Sequence, residues 1–599
     1  MSKQKLELTW MGKEKRPKLE PRILLEGREE SYHAKHRVSE NDIFGNRLIF
    51  GDNLLALKAL EQEFSGKVKC VYIDPPFNTG EAFEHYDDGL EHSIWLDLMA
   101  HRIRAIHRLL REDGSLFIHI DDNELAYLIA LCDEVFGRKN RINIITFKQS
   151  SASGPKATNP GLVTTANYII FYAKDKSLWS PNRIYQAVPR DDRYANFILN
   201  VRDAHANWRI VTLREAFAQH HRSDWGSVRA KFSDKLEAEL NKFVLAQRDH
   251  VIQLATVREK DINEDAKRAL QESVSKPGIV VQSPREDRED YYFLNGKQVL
   301  FYKNKVKRVS GVETSALAAS NIWDDLLSNN VHQEGGVSFP KGKKPEALLE
   351  RILSFASNPG DLVLDSFAGS GTTGAVAHKM GRRWIMIELG EHCHTHIIPR
   401  LRKAIDGEDN GGITESVGWK GGGGFRYYRL APSLIVNDRW GNPVINPEYN
   451  AAMLAEALAK LEGFTYAPSE THWWQHGRSS ERDFVYVTTQ NLSADQLQVL
   501  SEEVGADQSL LVCCAAFRGV TAAKAAERWP NLTLKKIPKM VLTRCEWGQD
   551  DYSLNVANLP IAQFEKAEPV ASGESIKKTK SKKTALVNAG QGGLFGESK

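Results

Sequence analysis

Val68-Lys-Cys-Val-Tyr-Ile-Asp-Pro-Pro-Phe-Asn-Thr-Gly80 runs from a largely apolar stretch into an abrupt turn. The apolar part predicts a buried strand, and the turn places Asp74 at its carboxyl end, where open α/β sheets bind ligands. Pro75 and Pro76 stiffen the backbone and remove two N–H donors, which leaves carbonyls free to accept. An Asp carboxylate and a Pro carbonyl together present two acceptors to one amino group. Phe77 adds a flat face for stacking. Asp74, Pro75, Pro76 and Phe77 therefore suit an exocyclic amine on a planar base, and they are the candidate catalytic residues. A bare strand-ending turn with a capping Asp is the bland reading, and the attached Asn78-Thr79-Gly80 weighs against it.

Outward from this turn the chain alternates strands and helices. Arg47–Phe50 predicts a strand, with a helix through Leu54, Leu57 and Leu60 behind it. Ile94, Trp95, Leu98, Met99, Arg102, Ile103, Ile106, Leu109 and Leu110 recur at helical steps. Ser115–Ile120 predicts a buried strand. Asp121 and Glu124 have capping-box spacing before the next helix, which Gly137 ends, and Asn167–Tyr172 predicts another strand. This alternation argues a mostly parallel sheet. Residues 175–320 change character: charge is dense, Ser233–Arg258 is helix-like, and Tyr291–Tyr302 predicts a hairpin turning at Asn295-Gly296. The α/β grammar resumes with a helix over Pro345–Ser357 and strands over Asp361–Leu364 and Arg383–Ile387.

Between those two strands stands Asp365-Ser-Phe-Ala-Gly-Ser-Gly-Thr-Thr-Gly374. Its glycines let backbone approach a ligand closely and turn tightly. Glu388, roughly twenty residues on, ends the next strand and could accept from both ribose hydroxyls. The loop alone admits a dinucleotide, S-adenosylmethionine or a plain turn; no Gly-Lys-Ser/Thr follows, so a P-loop is excluded.

The 599 residues allow about four domains. A net charge of +3 excludes a global basic field, so any nucleic-acid surface must be local. Six scattered cysteines exclude a disulfide framework and suggest a reducing, cytoplasmic setting. The charged N-terminus lacks a signal-peptide core, and no run is long and apolar enough for a membrane span.

With Asp74–Phe77 in place, the chain resembles the DNA amino-methyltransferases that carry D/N/S-P-P-Y/F, most closely the modification subunits of type III restriction–modification systems. Asn46–Leu57, Ile73–Gly80, His92–Leu96, Ile120–Glu124, Ile322-Trp-Asp-Asp325, Lys344-Pro-Glu346 and Asp365–Gly371 carry the likeness in order. Phe77 departs from the usual Tyr. The catalytic motif precedes the cofactor motif, the permuted order called the β class. The resemblance implies a circularly permuted Rossmann-like S-adenosylmethionine-dependent α/β fold with an inserted target-recognition domain and a small C-terminal α/β domain. The corresponding segments are an N-terminal arm (1–42), a catalytic half (43–175), the target-recognition domain (176–320), a cofactor half (321–424) after which Gly421–Gly424 forms a linker, the C-terminal domain (425–565) and a disordered tail (566–599).

The resemblance further implies methyl transfer to the N6 amine of a flipped adenine in duplex DNA. Asp365, Phe367, Gly369, Gly371 and Thr372 would hold S-adenosyl-L-methionine, with Glu388 on the ribose and Asp52 on the cofactor's adenine. Tyr86 or Trp95 would neighbour Phe77. A homodimer and a separate ATP-dependent helicase–nuclease subunit are the implied partners. N4-cytosine chemistry, an orphan methyltransferase, a non-catalytic DNA-recognition subunit and a nicotinamide oxidoreductase are the alternatives.

Other clusters carry less. His392-Cys-His-Thr-His396 reads as a polar helix surface rather than a metal site. His119 reads as a packed core residue. Lys341, Lys343 and Lys344 are consistent with phosphate contact or a solvated helix start. Lys577–Lys583 is a charge run in the tail, and Gln591-Gly-Gly-Leu-Phe595 resembles a sliding-clamp docking peptide.

Overall fold

A computed structural model describes residues 7–10, 12–77, 92–151, 161–286, 288–309, 311–326, 331–339, 342–537, 539–542 and 544–552. Tyr86, Lys341, the expected tail and the Gln591–Phe595 motif lie outside these residues.

The organising element is a ten-stranded sheet. In chain order its strands are β1 (Leu24–His33), β2 (Asn46–Phe50), β3 (Val68–Ile73), β4 (Leu110–Ile120), β5 (Arg141–Lys148), β6 (Ala166–Ala173), β7 (Ile322–Trp323), β8 (Leu362–Asp365), β9 (Arg383–Glu388) and β10 (Gly424–Leu430). In space they run β1-β10-β2-β9-β8-β3-β4-β6-β5-β7. From β10 to β4 every pair is parallel; β6 runs antiparallel between β4 and β5. The chain lays down β2, β3 and β4 first, then returns much later to insert β8 and β9 between β2 and β3. The order reverses between β8 and β3, which creates a crevice at the carboxyl edge.

Residues alternate faces along each strand, so each face carries its own core. Val71 and Ile73 of β3 pack with α1 (Asn53–Phe64), α2 (His92–Leu109) and α3 (Asp122–Cys132). Cys70 and Tyr72 pack with α4 (Glu346–Ala356), α5 (Thr372–Lys379) and α6 (Ile398–Asp406). All six residues of β3 are buried, as expected for a central strand covered by helices on both faces.

Two boundaries differ from expectation. The arm over 1–42 contributes β1, an edge strand antiparallel to β10; its charged residues face solvent, as edge strands require. Gly421–Gly424 is not a linker. Gly421, Gly422 and Gly423 have φ of 93°, 108° and 74°, and a Cβ on Gly423 would sit 2.6 Å from the Ile43 carbonyl. The glycines allow a tight entry into β10, which belongs to the central sheet.

The intervening region builds its own six-stranded antiparallel sheet from Asn196–Ile198 to Lys297–Phe301, and Val312–Ala318 pairs with Tyr185–Ala187. Asn295 and Gly296, at φ 50° and 74°, form the hairpin turn between Tyr291–Leu294 and Lys297–Phe301. The helix-like stretch Ser233–Arg258 instead gives a short helix, Leu236–Ala246, followed by a strand, Val251–Ala255. Residues after β10 form a separate five-stranded sheet in which Asp483–Val487, Ser509–Cys514 and the edge strand Leu532–Lys536 run parallel. Among the described residues no helix is long and apolar enough to cross a membrane.

Candidate active site at the carboxyl edge

Asp74 and Asp365 close neighbouring parallel strands, with Val363 opposite Cys70 and Leu364 opposite Val71. The catalytic motif and the glycine loop thus meet at the switch point, although they are far apart in sequence.

The glycine loop is braced from three sides. Asp365 Oδ1 accepts from Phe367 N–H (2.9 Å), and Oδ2 accepts from the Thr373 hydroxyl (2.6 Å). Burial raises the Asp365 carboxyl to about 7. Glu388 Oε2 accepts from Gly369 N–H (2.7 Å), while Oε1 accepts from Leu389 and Gly390 N–H (both 2.9 Å). Buried Arg400 donates to Thr372 Oγ1 (2.7 Å) and to Glu346 Oε1 (2.8 Å). Gly369 and Gly371 have φ of 52° and 75°, a region that L side chains rarely adopt. Gly374 is needed for packing: a Cβ there would clash with the Met386 methyl. Phe367 is buried against the sheet.

The catalytic turn is finished differently. Pro76 is held by buried Trp95, whose indole N–H donates to its carbonyl (2.8 Å). Trp95 is therefore a support of the turn rather than an open stacking neighbour. Phe77 stacks on His119, with ring centroids 6.0 Å apart and planes 26° apart. His119 is buried between Tyr72 Oη (3.1 Å) and Asn167 Nδ2 (3.2 Å), and burial holds its pKa well below the usual value. It is a core residue that also floors the stacking position.

Asp74 Oδ2 pairs with Lys344 Nζ at 2.6 Å. Asp74 Oδ1 is buried and has no partner among the described residues. Burial raises the Asp74 pKa, and Lys344 opposes the rise. The Lys344 ammonium also lies 5.1 Å from the Phe77 ring centroid. Lys344 and Lys343 are thus not a solvated helix start. Lys343 is buried too, donating to the Val337 carbonyl (2.8 Å) and the Glu334 carbonyl. The only sequence signal for Lys344 is its place in the Lys344-Pro-Glu346 motif.

Asp52 ties the start of α1 to distant parts of the chain. Oδ1 caps α1, accepting from Leu54 and Leu55 N–H (2.9 and 3.0 Å). Oδ2 meets Arg102 Nη2 (3.3 Å) and Tyr552 N–H (3.0 Å). Both oxygens are engaged within the chain, as those of Glu388 are. Its neighbour Asn53 reaches the loop, donating to the Ser366 carbonyl (2.7 Å). The Asp121/Glu124 capping box is absent: Asp121 caps Asn123 N–H, while Glu124 pairs with His92. His394 contacts Tyr427 and Glu391, and His396 the Ser338 carbonyl.

A buried carboxylate oxygen without a partner among the described residues, a stacking ring and a braced glycine loop meet at one crevice. Residues 68–398 match the family model described as DNA methylase. A probable HindVI Mod subunit of a type III restriction–modification enzyme from Haemophilus influenzae is 35% identical over 431 residues, covering 66% of this chain and 55% of that relative. The chain thus aligns with little more than half of that protein's length. The EcoP15I Mod subunit of Escherichia coli is 27% identical over 617 residues, covering 89% of this chain and 90% of that one. A putative DNA modification methylase of Thermus thermophilus, solved with S-adenosyl-L-methionine, is 16% identical with a TM-score of 0.30, covering 64% of this chain and 97% of that one. The chain belongs to the DNA methylase family, and within it is related to the type III Mod subunits.

Proposed function

We propose that the chain methylates the N6 amine of an adenine flipped from duplex DNA, with S-adenosyl-L-methionine as methyl donor. The observation that carries this reading is Asp74 Oδ1, a buried acceptor with no partner among the described residues, beside Phe77. An isolated buried acceptor is costly; an incoming amine relieves the cost, and a stacked base brings one. The donor set also fits the cofactor: a loop of positive-φ glycines lies between two strand-ending acids, Asp365 and Glu388.

Extruding the base costs a few kcal/mol. Phe77, floored by His119, offers the stacking face. Asp74 Oδ1 accepts one N6 hydrogen and the Pro75 carbonyl the other. These two contacts draw the nitrogen lone pair out of conjugation and aim it along the line of displacement, so positioning and electrostatics supply most of the acceleration. Asp365, Phe367, Gly369, Gly371 and Thr372 would hold the cofactor, with Glu388 on the ribose. When bound, S-adenosyl-L-methionine supplies an electrophilic methyl group.

The inserted sheet over 196–301 serves as the target-recognition domain, and the chain works as a homodimer with a separate ATP-dependent helicase–nuclease subunit. Sequencing of DNA from cells that express this chain alone, read for modified bases, tests the reading. N6-methyladenine in one short motif is the expected result. N4-methylcytosine keeps the mechanism and changes the base. No modification, with no cofactor bound by the pure protein, sinks it.

A further inference from the structure

Lys344 reaches the catalytic aspartate from the far half of the chain, and its place is fixed at both ends. Its backbone carbonyl accepts from Thr372 Oγ1 (3.4 Å), the first residue of α5 beyond the glycine loop. The next helix start is anchored by Glu346 N–H donating to Glu334 Oε2 (2.8 Å). The side chain then crosses the crevice to Asp74 Oδ2 at 2.6 Å, with only 10% of it exposed. One residue therefore touches the cofactor loop through its backbone and the catalytic carboxylate through its ammonium.

We propose that Lys344 is a positioning residue for methyl transfer: it grips Oδ2, which fixes the carboxylate's rotation and leaves Oδ1 turned toward the incoming amine. This rests on the methyltransferase reading above. An acceptor is useful only while ionised and oriented; a protonated carboxyl presents a hydroxyl donor to an amine that needs acceptors. Among the described residues, the groups that face Asp74 are Lys344, Asp365 at the end of the adjacent strand, and Tyr72. His119 stands behind Phe77 and is held neutral by burial. Lys344 is the one cation in that set. Burial favours the protonated form of Asp74, and Lys344 opposes it.

Removing the cation raises the Asp74 pKa further, so a smaller fraction is ionised at any given pH. The acid limb of the transfer rate must then move to higher pH. The test is single-turnover methylation of unmethylated genomic DNA by the full chain across a pH range of about 4 to 9, spanning the ordinary and raised carboxyl values, alongside cofactor-binding titrations. Lys344→Met is expected to slow transfer near neutral pH by about a hundredfold and to move the acid limb up by about 1–3 pH units, with cofactor affinity unchanged. Lys344→Gln keeps a donor without the charge and is expected to move the limb as well, which covers the case where the Met variant does not fold. Lys344→Arg is expected to restore both the limb and most of the rate. A limb that stays where the wild type has it overturns the proposal even if the rate falls, because a packing defect slows transfer without changing how it titrates. If the wild-type chain transfers no methyl group to any duplex, the functional reading falls and takes this role with it; an active wild type with an unmoved variant limb removes this role alone.

Discussion

Asp74 and Asp365 end adjacent parallel strands, Asp365 buried and Asp74 partly so with its Oδ1 out of solvent, and their side chains differ in what they are given to do. Asp365 has a donor on each oxygen, and both donors come from the loop that it shapes. Asp74 has one oxygen gripped by Lys344 and one left without a partner among the described residues. Folding alone explains the first, because satisfied buried acceptors hold turns. Folding does not explain the second. A buried carboxylate oxygen without a partner is a cost that an incoming amine would relieve, and the contrast supports the proposed division between a reacting and a supporting carboxylate.

The contrast breaks most directly at Asp74. Asp74→Ala is expected to lower transfer by about a thousandfold or more while cofactor binding persists and thermal stability falls, since the Lys344 ammonium loses its partner. Methylation near the wild-type rate would overturn the assignment. Phe77→Ala is the next largest. Stacking of a base on an aromatic ring contributes about 1–3 kcal/mol, so transfer should fall by roughly ten- to a hundredfold. Fluorescence of a 2-aminopurine target would report reduced retention of the extruded base; an unchanged signal would mean that another ring receives it.

Asp365 sharpens the comparison through pH. Its carboxyl is held up to about 7 in the folded chain, against an unfolded value of about 4. Between those values the folded state keeps a proton that the unfolded state has released, so stability falls as pH rises through that window. Asp365→Asn removes the titration. Its amide oxygen still accepts from Phe367 N–H, and its NH₂ donates to the Thr373 hydroxyl, so the loop largely survives. Melting temperature measured from about pH 4 to about pH 8, either side of that window, should decline less steeply in the variant than in the wild type. Cofactor affinity should weaken by only about tenfold or less, the scale of one net hydrogen bond. Equal slopes would show that Asp365 does not carry the proton.

Much of this arrangement is legible in the sequence, and for physical reasons. Val68–Ile73 is largely apolar because the strand is covered on both faces, and its terminal Asp has to fall at the carboxyl edge. The glycines at 369 and 371 announce a backbone that only glycine adopts readily. Lys344 is not legible. Three nearby lysines before a helix look like any solvated helix start, and the burial of Lys343 and Lys344 depends on β8 being inserted beside β3, a long-range fact with no local signature. β1 escapes a sequence reading because an edge strand with charged outward residues carries no apolar alternation. The partners of Asp52, Arg102 and Tyr552, also come from distant segments, so nothing local announces these contacts.

Trp95 gives the smallest expected effect and the finest test of the comparison. Its indole N–H holds the Pro76 carbonyl, so it acts on the catalytic turn as Thr373 and Phe367 N–H act on the loop, as a support that no ligand touches. Trp95→Phe keeps an apolar ring in the core but leaves that carbonyl without its donor, at about 1–3 kcal/mol of stability. If the turn matters only through where it puts Asp74 and Phe77, transfer should fall by about tenfold or less, with the acid limb of the pH profile unmoved, because Lys344 still governs the charge. A loss as large as that of Asp74→Ala would mean that the Pro76 carbonyl belongs to the reacting set, and the division between supporting and reacting groups would have to be redrawn one residue further along the turn.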